Sequence, residues 1–566
     1  MLECQKQFAS YIESLSKLLA GSGFTNDQDL LGKVTQTELL VPVIGAFSAG
    51  KSTLLNTFMG TDVLPVGIAP ETELATELRY SPEPYLIAIT ASGEEKRFPV
   101  DALVSINRRS SEFLYLCLYL DSAPLKRIAP LVLVDMPGYG SSLESHNKAL
   151  LYYLPRGSHF VVVTSVEDGN LTQSMLRRLD EVKTYAAEFT FVLSKCNLKG
   201  PQQVQAVVEY VDEQLAVHFG PDRKSVPVGK SDTEPLTRAF EAIDPEELFS
   251  RLFIEVLRDE NINLIAQVNL AARAAGRTGA ENEGLLRELE AGLAALEAKK
   301  EGLGTELRDR YSGRMLTRCL KAIDDDLDAA TDELVGLVAG GNSAALGNAV
   351  SEIVRATLSR NIQAEMEDAS SLLIEEMAQS LSSLGASMAA FNPREDWAAA
   401  VSDKAKTSLA MATNVMSKWA DHMASRQASK RAKTRLAQGI GSILAVGTGV
   451  VAPLLEAIIV FLPDLLQNIN AGRERQRIRE SLQSQVFPGI KAEVRAKLPE
   501  ILNEQLAVML GRVNKSFEGQ ISKQKDIIDA QRQERAEHGA RAEENVKALE
   551  TLSRALKALA SLYLYV

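Results

Sequence analysis

Eight consecutive residues, Gly45-Ala46-Phe47-Ser48-Ala49-Gly50-Lys51-Ser52, have the types and spacing to hold phosphate. They fit GxxxxGK[ST], with an apolar run (Leu39 to Ile44) before them and a helical pattern (Thr53, Leu54, Leu55, Phe58) after them. Glycines let backbone N–H groups wrap an anion, and a helix that starts there points its positive end at it. Lys51 would reach the outer phosphates of a nucleotide, and the Ser52 hydroxyl would ligate Mg²⁺.

A second element is Asp135-Met136-Pro137-Gly138, at the end of the apolar run LVLV. A carboxylate at a buried strand end can hold a magnesium-bound water, and the Gly138 N–H can donate to a γ-phosphate oxygen. After a phosphate loop such a turn senses the third phosphate. Between the two lies Ala69-Pro70-Glu71-Thr72. Thr72 is the expected second magnesium hydroxyl, with Thr76 as the fallback.

Base selection falls to Ser194-Lys195-Cys196-Asn197, which ends the run FTFVLSK. Guanine-reading sites usually have [NT]KxD here: the lysine stem covers the base, and the aspartate accepts from two guanine nitrogens. Asn197 has the aspartate's position. Its amide has one acceptor oxygen, and its donor would face another donor. It also lacks the strength of a charged acceptor. Guanine preference is therefore weakened unless Asp232 or Glu234 substitutes; the plainer alternative is that SKCN is only a strand end. The residues Val226 to Lys230 could close over the base.

Two residues after Gly138 stands Gly140, not a glutamine able to orient water. Hydrolysis would then rest on Ser48, on backbone groups and on a partner subunit. A monovalent cation held by Ser48 would add positive charge where negative charge grows in the transition state.

These residues need a scaffold, and the chain's composition divides into two parts. Fifteen of the 20 prolines precede residue 250. The same half carries the strand-like runs LLVPVIG, YLIAIT, FLYLCLYL, LVLVDMPG, HFVVVTS and FTFVLSK, with helical patterns such as LTQSMLRRLDEVKTYAAE between several of them. Buried strands alternating with helices predict an α/β domain with a mixed, mostly parallel sheet. Beyond residue 250 Ala, Glu, Leu, Lys and Arg dominate. Leu286, Leu289, Leu293, Leu296, Leu303 and Leu307 follow heptad spacing, as do Leu549, Leu552, Leu556 and Leu559. Long helices packed lengthwise are expected, with a compact helical domain as the alternative. At the other end Phe8, Ile12, Leu15, Leu18 and Leu19 recur at helical spacing. Neither terminal helix can bury its apolar stripe alone, so the two are expected to pack side by side.

One stretch interrupts the helical half. No charge falls between Gly439 and Leu455, while Lys430, Arg431, Lys433 and Arg435 precede it and Arg473, Arg475 and Arg477 follow. Pro453, Glu456 and glycines 439, 441, 447 and 449 count against a single membrane span. A buried internal hairpin and a helix–turn–helix loop entering one lipid leaflet both remain. The second accounts for basic flanks in an acidic protein, with Leu454, Ile458 and Phe461 as the inserting side chains.

The 566 residues are too many for one ordinary domain, and 45 % hydrophobic content is ample for a core. A net charge of −12 argues against a general nucleic-acid binder. The four cysteines and five histidines are scattered, without metal or redox spacing. The N-terminal segment lacks the basic start and apolar block of a signal peptide.

GxFxxGKST at Gly45–Thr53, then Leu64-Pro65 to Thr72, then DxPG at Asp135–Gly138, resembles the dynamin superfamily, the bacterial dynamin-like proteins in particular. The resemblance implies a GTP- and Mg²⁺-dependent GTPase head (39–250) releasing GDP and phosphate. It implies a neck and trunk of long helices (1–38, 251–435 and 473–566) and a membrane-directed apolar tip (436–472). It further implies a cytoplasmic protein peripheral on the membrane, with homodimerisation through the heads or hetero-oligomers with related proteins. Membrane bending, fusion, or the release of toxin-bearing vesicles would be its work. The rivals are a nucleotide-binding scaffold with negligible turnover and a P-loop ATPase without membrane work.

Overall fold

The computed structural model describes the chain except residues 28, 47, 67–73, 91, 110–111, 139–148, 151, 155, 173–174, 178, 180–181, 183–187, 231–232, 340–342, 382–474, 539–541 and 566. Phe47, Thr72, Gly140 and Asp232 therefore lie outside the described residues, as does the whole apolar stretch with Leu454, Ile458 and Phe461.

Among the described residues nine strands form one sheet: β1 Leu39–Gly45, β2 Thr76–Tyr80, β3 Tyr85–Ile89, β4 Glu95–Phe98, β5 Tyr115–Leu120, β6 Leu131–Asp135, β7 Phe160–Ser165, β8 Phe189–Ser194 and β9 Ser225–Pro227. Their order is β4-β3-β5-β2-β6-β1-β7-β8-β9. From β6 to β9 every neighbouring pair is parallel. β2 runs antiparallel to β6 and parallel to β5, and β3 and β4 return antiparallel. The sheet is thus mixed and mostly parallel, as the sequence predicts. β6 and β7 are buried at every position, which is why their sequences are unbroken apolar runs.

Alternation along the strands feeds two cores. Val41, Val43, Val161 and Val163 point to one side with Leu54, Leu55 and Phe58 of the helix Lys51–Met59. Ile44, Phe160 and Val162 point to the other, with Val211 and Leu215 of the helix Pro201–Phe219.

The first core does not end at the sheet. It continues through Phe8, Tyr11, Ile12 and Leu15 of the helix Glu3–Leu19, through Phe249, Phe253, Leu257 and Leu264 of Pro245–Gly276, and through Leu549 and Leu556 of Ala542–Tyr563. Hydrogen bonds tie these three helices where apolar packing alone would let them slide. Asn261 Nδ2 donates to Tyr11 Oη at 2.9 Å and to the Leu556 carbonyl at 3.2 Å, and Gln7 Nε2 donates to the Tyr563 carbonyl at 2.6 Å. A second all-helical core joins Gly279–Leu307, Gly313–Ala329, Ser343–Leu381 and the 52-residue helix Phe487–His538. Leu286, Leu289, Leu303 and Leu307 of the heptad pattern are buried there.

Candidate functional site

The site assembles at the C-terminal ends of β1, β6, β7 and β8, where an open α/β sheet offers a crevice for ligands. β1 ends at Gly45. A Cβ on that residue would lie 2.3 Å from the carbonyl oxygen of Val163 on β7, so no side chain fits. The neighbouring strand thus requires glycine here, in addition to the phosphate role expected from the sequence. Ala46 and Ala49 follow, Ala49 buried and Ala46 half-buried. Gly50 has φ +87°, a left-handed conformation that L side chains resist, and it leads directly into the helix at Lys51. Ser48 also adopts positive φ, +61°, and is exposed. A non-glycine residue held there stores backbone strain.

Lys51 is buried, and its Nζ donates to the carbonyls of Gly45 at 3.0 Å and Ala46 at 3.2 Å. The ammonium thus lies across the loop it belongs to. Ser52 and Thr53 are half-buried in the first turn, where helical N–H groups lack intrahelical partners. The Ser52 hydroxyl donates to Asp135 Oδ2 at 2.8 Å. Asp135 is fully buried, and its Oδ1 has no hydrogen-bond partner among the described residues. Burial pushes its carboxyl up to about 6, against the lowering pull of Lys51 and of the Ser52 hydrogen bond.

These groups fit a hard divalent cation: a hydroxyl and a carboxylate in contact, with one buried oxygen lone pair unspent. A magnesium ion held by Ser52 and Asp135 would supply positive charge to phosphate oxygens. Among the described residues there is no group of three or more His, Cys, Asp or Glu side chains suited to hold a metal without such a ligand. Thr76, the fallback hydroxyl, is paired in register with Asp135 between β2 and β6, but it is buried and its hydroxyl turns to the Leu74 carbonyl at 3.4 Å. Gly138 lies three residues beyond Asp135, half-buried.

Two buried asparagines hold the described residues on either side of 67–73. The Asn56 side chain, from the helix after the loop, exchanges hydrogen bonds with the backbone of Leu64 at 2.9 and 3.0 Å. Asn107 Oδ1 accepts from the Leu74 N–H at 2.9 Å.

β8 is fastened to the loop by Ser194, whose hydroxyl lies 2.6 Å from the Ala49 carbonyl and 2.9 Å from that of Thr164. Lys195 follows in left-handed conformation, φ +58°, with Nζ 2.9 Å from Glu167 Oε2. Asn197 is exposed, and its Oδ1 accepts from the Lys230 N–H at 2.9 Å. The stretch before Lys230 is itself tied to β8, since Val228 N–H donates to the Leu193 carbonyl and Cys196 N–H to the Val228 carbonyl. Glu234 forms an ion pair with Arg238 on its own helix. Sequence reasoning missed Glu167, Asn56 and Asn107, and it named Ser194 without its tie to Ala49. An acidic residue just past an apolar strand is the one signal that could have raised Glu167.

A nine-stranded α/β sheet with this loop, lysine, hydroxyl and carboxylate at its strand ends is a P-loop nucleotide-binding domain. Residues 41–196 match the Dynamin family, so this part of the chain is similar to a dynamin-family head. Three relatives match parts of the chain. An uncharacterized protein in the xynA 3'region of Caldicellulosiruptor sp. is 29% identical over 202 residues, 35% of this chain and 48% of its own length. A probable transmembrane GTPase FZO-like protein, chloroplastic, of Arabidopsis thaliana is 27% identical over 186 residues, 33% of this chain and 18% of its own. Dynamin-like protein 2 of Campylobacter jejuni is 32% identical over 102 residues, 18% of this chain and 17% of its own. The chain thus spans about half the length of the first relative and under a fifth of the other two. A solved structure of an oligomerised bacterial dynamin pair, tied to long-range sensing and tethering of membranes, aligns over 99% of this chain and 95% of its own. Its identity is 13% and its TM-score 0.33.

Proposed function

We propose that this protein binds GTP with Mg²⁺ at the loop Gly45–Ser52, hydrolyses it, and uses the change of nucleotide state to move its helices against a membrane. The observation that carries the nucleotide part is the buried Asp135, one oxygen on the Ser52 hydroxyl and the other unpartnered, behind a P-loop that matches the Dynamin family. In this reading Lys51 exchanges its two carbonyl partners for phosphate oxygens. Ser52, Asp135 and Thr72 surround the cation, while Gly138 and the N–H groups of Ala46 to Thr53 meet phosphate. Lys195 and Asn197 face the base. Ser48, strained and exposed, is the loop residue able to hold a monovalent cation or to meet a second head.

The membrane part rests on sequence: an uncharged stretch from Gly439 to Leu455 between two basic flanks in a chain of net charge −12. Among the described residues no helix is long and apolar enough to cross a membrane, and the proposed contact is partial insertion from one side. Head-to-head homodimers, or hetero-oligomers with related proteins, would raise turnover. Vesicle release is the membrane task in view, secretion of a toxin included.

Co-sedimentation with vesicles of anionic phospholipid tests this reading. The wild-type chain is expected to pellet with the vesicles, and a variant with Leu454, Ile458 and Phe461 all changed to Asp is expected to stay in solution. Equal pelleting of the two would remove the stretch from the lipid contact.

A further inference from the structure

Asn197 is oriented by the fold, and that orientation sets what it can read. A backbone N–H only donates, so the Lys230 N–H at 2.9 Å must meet the amide oxygen. The amide NH₂ is thereby turned the other way. Asn197 is exposed, and its Nδ2 has no hydrogen bond among the described residues. The residue cannot flip without leaving Lys230 N–H facing a second donor. Its position is fixed from both sides: Ser194 pins the preceding strand end to the Ala49 carbonyl, and Val228 hydrogen-bonds to Leu193 and Cys196. Lys195, held through Glu167, lies on the same strand end.

Resting on the nucleotide reading above, we infer that Asn197 is a specificity-determining residue that binds GTP without reading its 2-amino group and prefers purine nucleotides bearing oxygen, or only hydrogen, at that carbon. Guanine presents two donors along this edge, N1–H and the 2-amino group. The second lone pair of Asn197 Oδ1 can accept from N1–H. The Asn197 NH₂ then meets the 2-amino group, donor against donor, and one N–H loses its partner. Hypoxanthine has only hydrogen at that carbon, so the clash disappears. Xanthine has a carbonyl there, which accepts from the Asn197 NH₂ and completes a two-point pair. Each step from guanine to hypoxanthine to xanthine removes a mismatch or adds a hydrogen bond, and about three- to tenfold in affinity is expected per step.

The test is calorimetric titration of the full-length chain in Mg²⁺ with GDP, IDP and XDP, nucleotides that avoid hydrolysis, on wild type and Asn197→Asp. The aspartate keeps an acceptor for Lys230 N–H, so the loop stays in place, and it presents an acceptor where the amide donated. Wild type is expected to bind XDP tightest and GDP weakest; Asn197→Asp is expected to reverse the order, gaining at least tenfold for GDP and losing as much for XDP. GDP binding tighter than IDP in wild type would overturn the inference while leaving nucleotide binding intact. So would an unchanged ranking in Asn197→Asp, the result if Asn197 only ties down the loop. Failure of all three nucleotides to bind wild type would overturn the nucleotide reading itself.

Discussion

Asp135 concentrates the chemistry of the site in one carboxyl group. Its raised value, about 6, comes first from burial, with Lys51 and Ser52 pulling the other way. Folded chain holds this proton more tightly than unfolded chain does. The charged form therefore costs stability above about pH 6, and the cost fades as pH falls through that value. Two opposite trends follow. Ligand-free protein gains stability from this residue on going from pH 7 to pH 5. In the proposed site Mg²⁺-nucleotide binding would use the carboxylate, so its affinity is expected to drop by about tenfold per unit below pH 6. Titrations of Mg²⁺–GDP at pH 7.5, 6 and 5, beside melting curves without ligand, check both; Asp135→Asn should flatten both trends, and a flat wild-type profile would contradict the assignment. The residue types of this site were legible in the sequence because a P-loop is local: eight adjacent residues carry its meaning. What was not legible is non-local. That Asn197 would spend its oxygen on Lys230, or that Glu167 would hold Lys195, depends on β7, β8 and the loop at Lys230 meeting in space.

Among the elements, the sheet explains two further residues. Gly45 sits where β1 and β7 approach, so Gly45→Ala forces its methyl onto the Val163 carbonyl and must push the strands apart. Loss of about 3 kcal/mol or more is expected, at the upper end of overpacking costs, read as a lower denaturation midpoint. Nucleotide binding should fall with it, because the loop hangs from that strand.

The second residue is Arg79 in β2. It makes a two-point pair with Glu38 at 2.6 and 2.7 Å and reaches the buried Glu77, whose other oxygen accepts from the Tyr153 hydroxyl at 3.0 Å. Arg79→Ala would strand the Glu77 charge inside the sheet. A loss of about 3–5 kcal/mol is expected, whereas Tyr153→Phe should cost about 1–2 kcal/mol. Urea titration of the three proteins orders them. This network also shows why β2 escaped the sequence reading: Thr-Glu-Leu-Arg-Tyr has no apolar run, because its charges are neutralised by partners from distant segments. β4 escaped as a polar edge strand and β9 because it has only three residues.

Over the whole molecule, the apolar core that backs the P-loop helix is the same core that holds the three helices Glu3–Leu19, Pro245–Gly276 and Ala542–Tyr563. The packed side chains, with Asn261 bonding to the other two helices at once, form a contiguous route along which a shift at the loop would reach them. Heptad leucines marked buried positions of Gly279–Leu307 and Ala542–Tyr563 in advance but not their partners: spacing reveals which side is covered, never by what. That Leu549 and Leu556 would close on the head core, and Leu289 on the other, needed the structure. In the proposed function a nucleoside triphosphate drives this assembly. Steady-state phosphate release from Mg²⁺–GTP, with and without anionic vesicles, compares wild type with Lys51→Ala, which removes the ammonium from the loop. Release well above the Lys51→Ala background, and higher with vesicles, is the predicted result. Wild type no faster than Lys51→Ala under both conditions would contradict it.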